Sequence, residues 1–200
     1  VIEEVNNFNY LGSIVSTDGG AAADITSRIA KARGAFSSMW PVWKSSQLSR
    51  NLKIKIFNAC IKSILLYGSE TWLVRNSDMD KIQVFINKCL RIICKVFYPN
   101  RIRNEDLWRL SGEDPMKKQI KRKKWRFIGH SLRRTSSTTK QALDWTPQGS
   151  RSVGRPKQTW RRTIESDLQG YGRSWREVKP MAKNRVRWKG LVNALCSLEE

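Results

Sequence analysis

The sequence predicts a mainly α-helical protein, a helical bundle with a short N-terminal β-strand or hairpin, followed by a smaller basic helical module. Long segments repeat apolar residues at intervals of three and four, which is typical of amphipathic helices. Nine tryptophans and 40% hydrophobic residues in a chain of 200 indicate a packed core. We expect a strand and turn over 1–23, a helical body over 24–134, a linker over 135–155 and a C-terminal module over 156–200.

One stretch, residues 7–20, favours β-structure. Aromatic and β-branched residues from Phe8 to Val15 favour a strand, and Asp18-Gly19-Gly20 predicts a turn. Gly12 inside the strand predicts a bulge or the close approach of another backbone. Asp24 then follows as the N-cap of a first helix that ends near Trp40.

Two further helices complete the core of the body. Residues 50–68 carry apolar side chains around most of the circumference, which predicts the most buried helix. The next helix runs from about 76 to 97 and has one apolar and one basic face, with Lys88, Arg91 and Lys95 on the basic face. Asn104 is then predicted to cap a short helix that runs through Leu110, and Gly112 closes it.

The segment Lys117–Arg134 holds nine basic residues and no acidic residue. We predict a helix over 115–134, with Pro115 in its first turn. Met116, Ile120, Phe127 and Ser131 share one face, and Trp125 falls among the basic residues opposite. Trp125 is therefore either buried against a neighbouring element or available to stack on a base.

The C-terminal module is predicted to contain two main helices. Residues 135–155 are rich in Ser, Thr, Gly and Pro and indicate a linker. A helix is expected from Pro156 to Leu168, and a last helix from Pro180.

The net charge is +21, and it is unevenly distributed. Residues 1–24 carry −4, residues 25–100 carry +10 and residues 101–200 carry +15. A folded protein with this charge repels itself unless it binds an anion, and nucleic acid is the partner that such a distribution favours. No apolar run approaches the ~20 residues of a membrane span, so no membrane partner is expected. The chain begins at Val1, which suggests a piece of a longer polypeptide.

The residues indicate no catalytic or metal site. The acidic pairs mostly fall at predicted helix starts, where carboxylates favour the helix dipole. His130 is the only histidine and has no obvious Ser or Cys partner. The four cysteines include no CxxC pair and fall in apolar helical patterns, which predicts buried free thiols. We therefore expect no catalytic residue, no metal and no cofactor in this chain.

Five segments occur in an order that is specific to one family. They are FNYLGSIVSTDGG, LLYGSETW, INKCLRIICKVFYPNRIRNEDLW, KWRFIGHSLRR and GRPKQTWRR. Together they resemble the C-terminal part of endonuclease–reverse transcriptases from LINE-type (non-LTR) retrotransposons, close to the RTE-like group. The resemblance covers nearly all of the chain.

The resemblance implies a fragment that follows the polymerase palm. Tyr10, Leu11 and Gly12 would form a primer-grip-like strand, and the helices after them would form a thumb that holds the template–primer duplex. The catalytic aspartates, their Mg²⁺ and the endonuclease domain would lie upstream, so this chain would not be an enzyme on its own. RNA, DNA and the upstream palm and endonuclease domains would be its partners. Its location would be intracellular, in the nucleus with cytoplasmic transit.

A thumb holds a duplex without reading its sequence, so its affinity comes from cations that contact phosphates. The predicted contacts are Lys88, Arg91, Lys95, Lys117, Lys118, Lys121, Arg122, Arg126, Arg133, Arg134, Arg155, Lys157, Arg161 and Arg162. Three alternatives remain open from the sequence. They are a stand-alone nucleic-acid-binding protein, domesticated or remnant, a helical interaction module for an acidic protein partner, and the translation of a decayed pseudogene.

Overall fold

The protein is mainly α-helical with a short N-terminal β-hairpin, as the sequence predicts. The computed structural model describes residues 5–16, 20–134, 138–145 and 159–197. The chain divides into two compact units, Val1–Gln119 and Ile120–Glu200, here called the N-terminal and C-terminal units. In the described part of the chain, no helix combines the length and apolar character needed to cross a membrane.

The hairpin pairs β1 (Asn7–Tyr10) with β2 (Ser13–Ser16) in antiparallel register, with Phe8 opposite Val15. Its two-residue turn is Leu11-Gly12, with φ of 49° and 79°. Positive φ at both positions is the requirement of a type I′ turn. The prediction of a bulge at Gly12 was therefore wrong. Residues 17–19, within the turn predicted from Asp18 to Gly20, lie outside the described residues.

The N-terminal unit is built mainly from helices. The bounds are α1 (Ala22–Ser38), α2 (Trp40–Lys44), α3 (Arg50–Ile56), a π-helical segment (Phe57–Lys62), α4 (Ser63–Leu65), a 3₁₀ turn (Ser69–Thr71), α5 (Asn76–Ile93) and α6 (Asn104–Ser111).

The helix predicted over 50–68 is continuous from Arg50 to Leu65, three residues shorter than predicted, and it changes its winding along its length. Ser49 caps it, since its side chain accepts a hydrogen bond from the backbone of Leu52. Phe57, Ile61 and Leu65 are fully buried, but Leu52 is 42% exposed, so the helix is not buried on all sides. Cys60 is exposed, and the prediction that it is a buried thiol was wrong. Cys60 immediately precedes the buried Ile61 within the π-helical segment, on the solvent side.

The third predicted helix, α5, ends at Ile93 rather than near residue 97. The backbone N–H of Lys95 donates to Ile92, and that of Val96 donates to Arg91. These two bonds form a Schellman motif, and Lys95 adopts the left-handed conformation that closes it, with φ of 57°. Lys95 therefore lies beyond the helix and not on its basic face. The predicted end of α6 at Gly112, with φ of 68°, is confirmed. The predicted cap at Asn104 was wrong, because Asn104 is the first helical residue and its side chain accepts from Arg91.

The boundary between the units lies inside α7 (Met116–Arg133), not after it at residue 134 as predicted. The reason is packing, because Trp125, Ile128 and Leu132 belong to the core of the C-terminal unit. The predicted linker also contributes, since part of it forms α8 (Thr138–Asp144), whose Leu143 is buried in that core.

Three helices complete the C-terminal unit, and each begins at a polar cap. They are α9 (Trp160–Gln169), α10 (Trp175–Met181) and α11 (Arg185–Ser197). Thr159 and Ser174 cap the first two, and the Asn184 side chain accepts from two backbone N–H groups at the start of α11. Pro180 lies in the last turn of α10, so it does not start the last helix. Residues 156–158 lie outside the described residues.

Candidate nucleic-acid interface

The hairpin is fixed to α1 by a buried carboxylate. Asp24 is only 4% exposed. One of its oxygens accepts from the backbone N–H of Ile14 at 3.1 Å, and the other accepts from the Trp72 indole at 2.9 Å. Asp24 lies in the first turn of α1 and not at the N-cap, which is Ala21. Its role is therefore to join three segments, which its position in the sequence does not indicate.

Arg28 completes this anchor from the next turn of α1. Its guanidinium donates to the carbonyl of Gly12 at 2.6 Å and lies over the Tyr67 ring, 4.5 Å from the centroid. It also pairs with Asp24, with 3.7 Å between Nε and the carboxylate. Tyr10 and Leu11 remain 60% and 75% exposed at the hairpin tip. The predicted primer-grip-like residues therefore form an exposed tip on a buried polar anchor.

The three cations predicted on α5 differ in their surroundings. Lys88 is exposed on the helix. Arg91 is half-buried, and its guanidinium donates to the Asn104 side chain at 2.8 Å. Lys95 is exposed in the turn after the helix. These three residues lie along the C-terminal half of α5 and the turn that follows it.

Two of the cations predicted on α7, Lys118 and Lys121, bind carboxylates of the protein itself, and Lys124, which was not predicted, does so too. The ammonium groups of Lys121 and Lys124 lie 3.4 Å and 3.0 Å from the two oxygens of Asp167, and both side chains are largely buried. Lys118 pairs with Asp114 at 3.8 Å. The pairs at Asp167 hold α7 to α9, so Lys121 contributes to the packing of the C-terminal unit.

Trp125 is fully buried, which confirms the packing interpretation over base stacking. Its indole N–H donates to Asp167 at 3.0 Å, and its backbone carbonyl accepts from the Trp188 indole at 3.0 Å. The two rings lie 5.9 Å apart. The Trp188 indole also packs against Gly129, where a Cβ would lie within 2.6 Å of three of its atoms. Phe127, predicted on the inner face, is only half-buried, whereas its neighbour Ile128 is fully buried.

A cleft between α7 and α11 is lined by four cations of the C-terminal unit; Arg126, Arg185 and Lys189 are exposed, and Arg133 is half-buried and donates to the carbonyl of Ala182 at 3.2 Å. The volume of the cleft is about 370 Å³. We call it the C-terminal basic cleft; its lining residues are Arg126, His130, Arg133, Arg185, Trp188, Lys189, Val192 and Asn193. The sequence pointed to Arg126 and Arg133 but not to His130, Arg185 and Lys189. The spacing of four between Arg185 and Lys189, and between Arg126 and His130, was a signal available for both helices.

The carboxylates described in the C-terminal unit lie away from this cleft. Asp144 pairs with Lys179, and Asp167 is held by α7. Glu165 pairs with Arg161 on α9, and Glu177 accepts from the hydroxyl of Ser174. None of these four acids is among the residues that line the cleft. The described carboxylates therefore interact with groups elsewhere in the unit, and the cleft keeps a net positive charge.

The remaining predicted contacts are not collected in one place. Lys117 is exposed at the start of α7, and Arg134 is exposed just after its end. Arg122 and Arg162 are half-buried, and both interact with other groups of the protein. Arg161 is exposed but paired with Glu165 at 3.5 Å. Arg155 and Lys157 lie outside the described residues.

The described residues contain no cluster of three His, Cys, Asp or Glu side chains that could hold a metal ion. The four cysteines are unpaired thiols. Burial raises the pKa of the Cys89 thiol to about 12, and the nearby Arg33 opposes this only partly. Burial also raises the pKa of Cys94. Neither thiol is a reactive nucleophile at neutral pH, because the thiolate is the reactive form.

Comparison with known proteins finds one partial match. A model of a domain of unknown function (DUF6451) matches residues 35–67, which run from the end of α1 into the segment after α4. No curated protein and no solved structure matches the chain.

Proposed function

We propose that this chain is the C-terminal, post-palm part of a LINE-type reverse transcriptase and that it holds the template–primer duplex. It binds phosphates without reading sequence, and it has no catalytic activity of its own. The C-terminal basic cleft carries this proposal. Arg126 and Arg133 of α7 face Arg185 and Lys189 of α11 across one concave surface, and no described carboxylate lines it.

The chemistry of the cleft suits a phosphate backbone. Guanidinium groups present several N–H donors in a fixed plane and bind phosphate oxygens in a bidentate manner. The buried Trp188 and Val192 form an apolar floor, which lowers the local dielectric and strengthens the attraction of an anion. An acidic peptide would satisfy the charge, but it lacks the regular spacing of phosphates along a duplex.

The remaining parts of the proposal rest on the resemblance of the five sequence segments. The hairpin tip at Tyr10, Leu11 and Gly12 would approach the primer end, and its anchor at Asp24 and Arg28 supports a positioning role. The palm upstream would supply the catalytic aspartates and Mg²⁺, and the endonuclease domain would cut the target. Such a protein acts in the nucleus after transit through the cytoplasm.

The proposal is tested by fluorescence-anisotropy titration of the full chain with a labelled RNA–DNA hybrid at several salt concentrations. The variant combines Arg126→Gln, Arg185→Gln and Lys189→Gln. The control combines Arg173→Gln, Arg176→Gln and Lys183→Gln, which removes the same charge from exposed positions of the same unit that do not line the cleft.

We expect the cleft variant to lose at least about tenfold in affinity and to lower the salt slope by roughly 2 to 3, since each phosphate contact contributes ~0.9. The control variant should retain most of the slope. Equal losses in both variants would show that charge acts diffusely and would overturn the role of the cleft. A folded chain that binds no hybrid at low salt, or prefers an acidic peptide, would overturn the proposed function.

A further inference from the structure

The turn that follows α5 exposes two aromatic rings. Tyr98 is 84% exposed and Phe97 is 56% exposed. Aromatic side chains of this size usually bury most of their surface in a core. We call Phe97, Tyr98, Arg91 and Arg101 the aromatic corner; they line a second cleft, in the N-terminal unit, with a volume of about 310 Å³.

The corner is held by the structure around it. The Schellman bonds from Lys95 and Val96 fix the backbone where α5 ends. The Arg91 guanidinium is held by Asn104 at 2.8 Å, which uses only part of its five N–H donors. The Arg101 guanidinium lies 5.9 Å from the centroid of the Tyr98 ring, within the range of a cation–π contact.

The corner is positively charged as well as aromatic. Two guanidinium groups line it, and no carboxylate is among its lining residues. Asp106, on the neighbouring helix, pairs with Arg109 at 3.3 Å. An occupant that matches both features has a planar ring and a negative charge.

We propose that the aromatic corner binds one unpaired nucleotide of a nucleic-acid strand. The base stacks on Tyr98 or Phe97, and the phosphate pairs with Arg91 or Arg101. This inference deepens the proposed function and rests on it, since the nucleotide belongs to the strand that the protein already holds. The cleft is at the small end of ligand sites, which span roughly 300 to 1,000 Å³, and it suits a single nucleotide better than a base-paired duplex.

Stacking on an exposed ring is tolerant of sequence, because every base has a π face. It would give the protein a preference for a duplex with a single-stranded extension without giving it base specificity. Substituting the stacking ring by alanine should lower the affinity for such an extension by roughly 5- to 150-fold. The affinity for a blunt hybrid should not change.

The experiment compares a blunt RNA–DNA hybrid with the same hybrid carrying a single-stranded extension of about six nucleotides, within the site sizes seen for single-strand binding. The extension contains 2-aminopurine, whose fluorescence is quenched when it stacks. We expect quenching by the native chain, loss of quenching in at least one of Phe97→Ala and Tyr98→Ala, whichever removes the stacking ring, and retention in Tyr98→Phe. Tyr171→Ala, which removes an exposed ring from the other unit, is the control.

The outcomes separate this inference from the proposed function. If the chain binds the blunt hybrid but gains nothing from the extension, the inference fails and the proposed function stands. If quenching persists in both Phe97→Ala and Tyr98→Ala, the inference also fails. If the chain binds and quenches the extension but ignores the blunt hybrid, the duplex-holding function fails and the stacking site stands.

Discussion

Adding one carbon atom at Gly129 should strongly lower the free energy of unfolding of the C-terminal unit. A Cβ there would lie 2.1 Å from the indole nitrogen of Trp188, far below van der Waals contact. Trp188 is 4% exposed, and its N–H donates to the carbonyl of Trp125 at 3.0 Å. The indole therefore cannot move away without losing a buried hydrogen bond.

The cost of Gly129→Ala can be estimated from its parts. Overpacking in a core costs ~1 to 3 kcal/mol, and a buried donor left without its acceptor costs another ~1 to 3 kcal/mol. Replacing glycine by alanine inside a helix returns ~1 kcal/mol. We expect a net loss of about 1 to 5 kcal/mol in the free energy of unfolding of the C-terminal unit.

Gly190→Ala is the matched control, in α11 of the same unit. A Cβ at Gly190 meets no atom within 4 Å, so only the gain in helix propensity remains, ~0.5 to 1 kcal/mol. Urea unfolding followed by circular dichroism gives the free energies of unfolding. Hydrogen exchange of the Trp188 indole, measured by NMR, reports on this contact alone. If Gly129→Ala were as stable as Gly190→Ala, the packing described around Trp188 would be wrong.

Three further predictions concern other residues. Lys95→Gly should raise the free energy of unfolding by ~0.5 to 1 kcal/mol, because glycine adopts the left-handed conformation without strain, whereas Lys95→Ala keeps the strain and should not. Urea unfolding that showed no gain in Lys95→Gly would mean that the turn is unstrained. In the native protein at pH 8, a thiol reagent should label the exposed Cys60 first and Cys89 only on unfolding, because burial keeps the pKa of Cys89 at about 12. Mass spectrometry gives the order of labelling, and early labelling of Cys89 would contradict its burial. Lys53→Met should lower the free energy of unfolding by ~1 to 3 kcal/mol, measured by thermal unfolding, because it leaves the carbonyls of Trp43 and Ser45 without this donor. Lys55→Met, at an exposed position, should change it by no more than ~0.5 kcal/mol. Equal effects of the two substitutions would refute the role of the buried ammonium.

Local patterns predicted the elements well where the signals were strong. The bounds of α7 differ by one residue at each end from the prediction of 115–134, since Pro115 marks its start and the periodicity continues to its end. Gly112 was a reliable stop because a left-handed residue is needed there. The hairpin turn at Leu11-Gly12 was missed, because Gly12 was interpreted as a position inside a single strand. A leucine at positive φ gives no warning in the sequence.

The face of Trp125 shows why packing was harder to predict than helicity. The prediction assumed one apolar stripe along α7, with Met116 at its start. Met116 is buried where its backbone N–H donates to Gln83, within the N-terminal unit. Trp125 is buried in the core of the C-terminal unit. A helix that packs into two cores can bury a different face in each, and the local sequence pattern does not show where the buried face changes.

The sequence gives the number of cations, but it does not show which of them are available to bind an anion. Lys121 and Lys124 are held by Asp167, more than 40 residues further along the chain, and no spacing rule connects them. Likewise, no spacing rule predicts that Arg185 and Lys189 of α11 line one cleft together with Arg126 and Arg133 of α7. Sequence alone therefore predicted nucleic acid as the partner of the chain but not the surface that would bind it.

The arrangement of charge supports the proposal that the C-terminal basic cleft binds an anion. Cations held close together raise the free energy of the folded state through their mutual repulsion. The unit places carboxylates against Lys121, Lys124, Arg161 and Lys179, where they stabilise its helices, and places none described in the cleft. A bound polyanion would remove the repulsion and stabilise the folded unit by mass action.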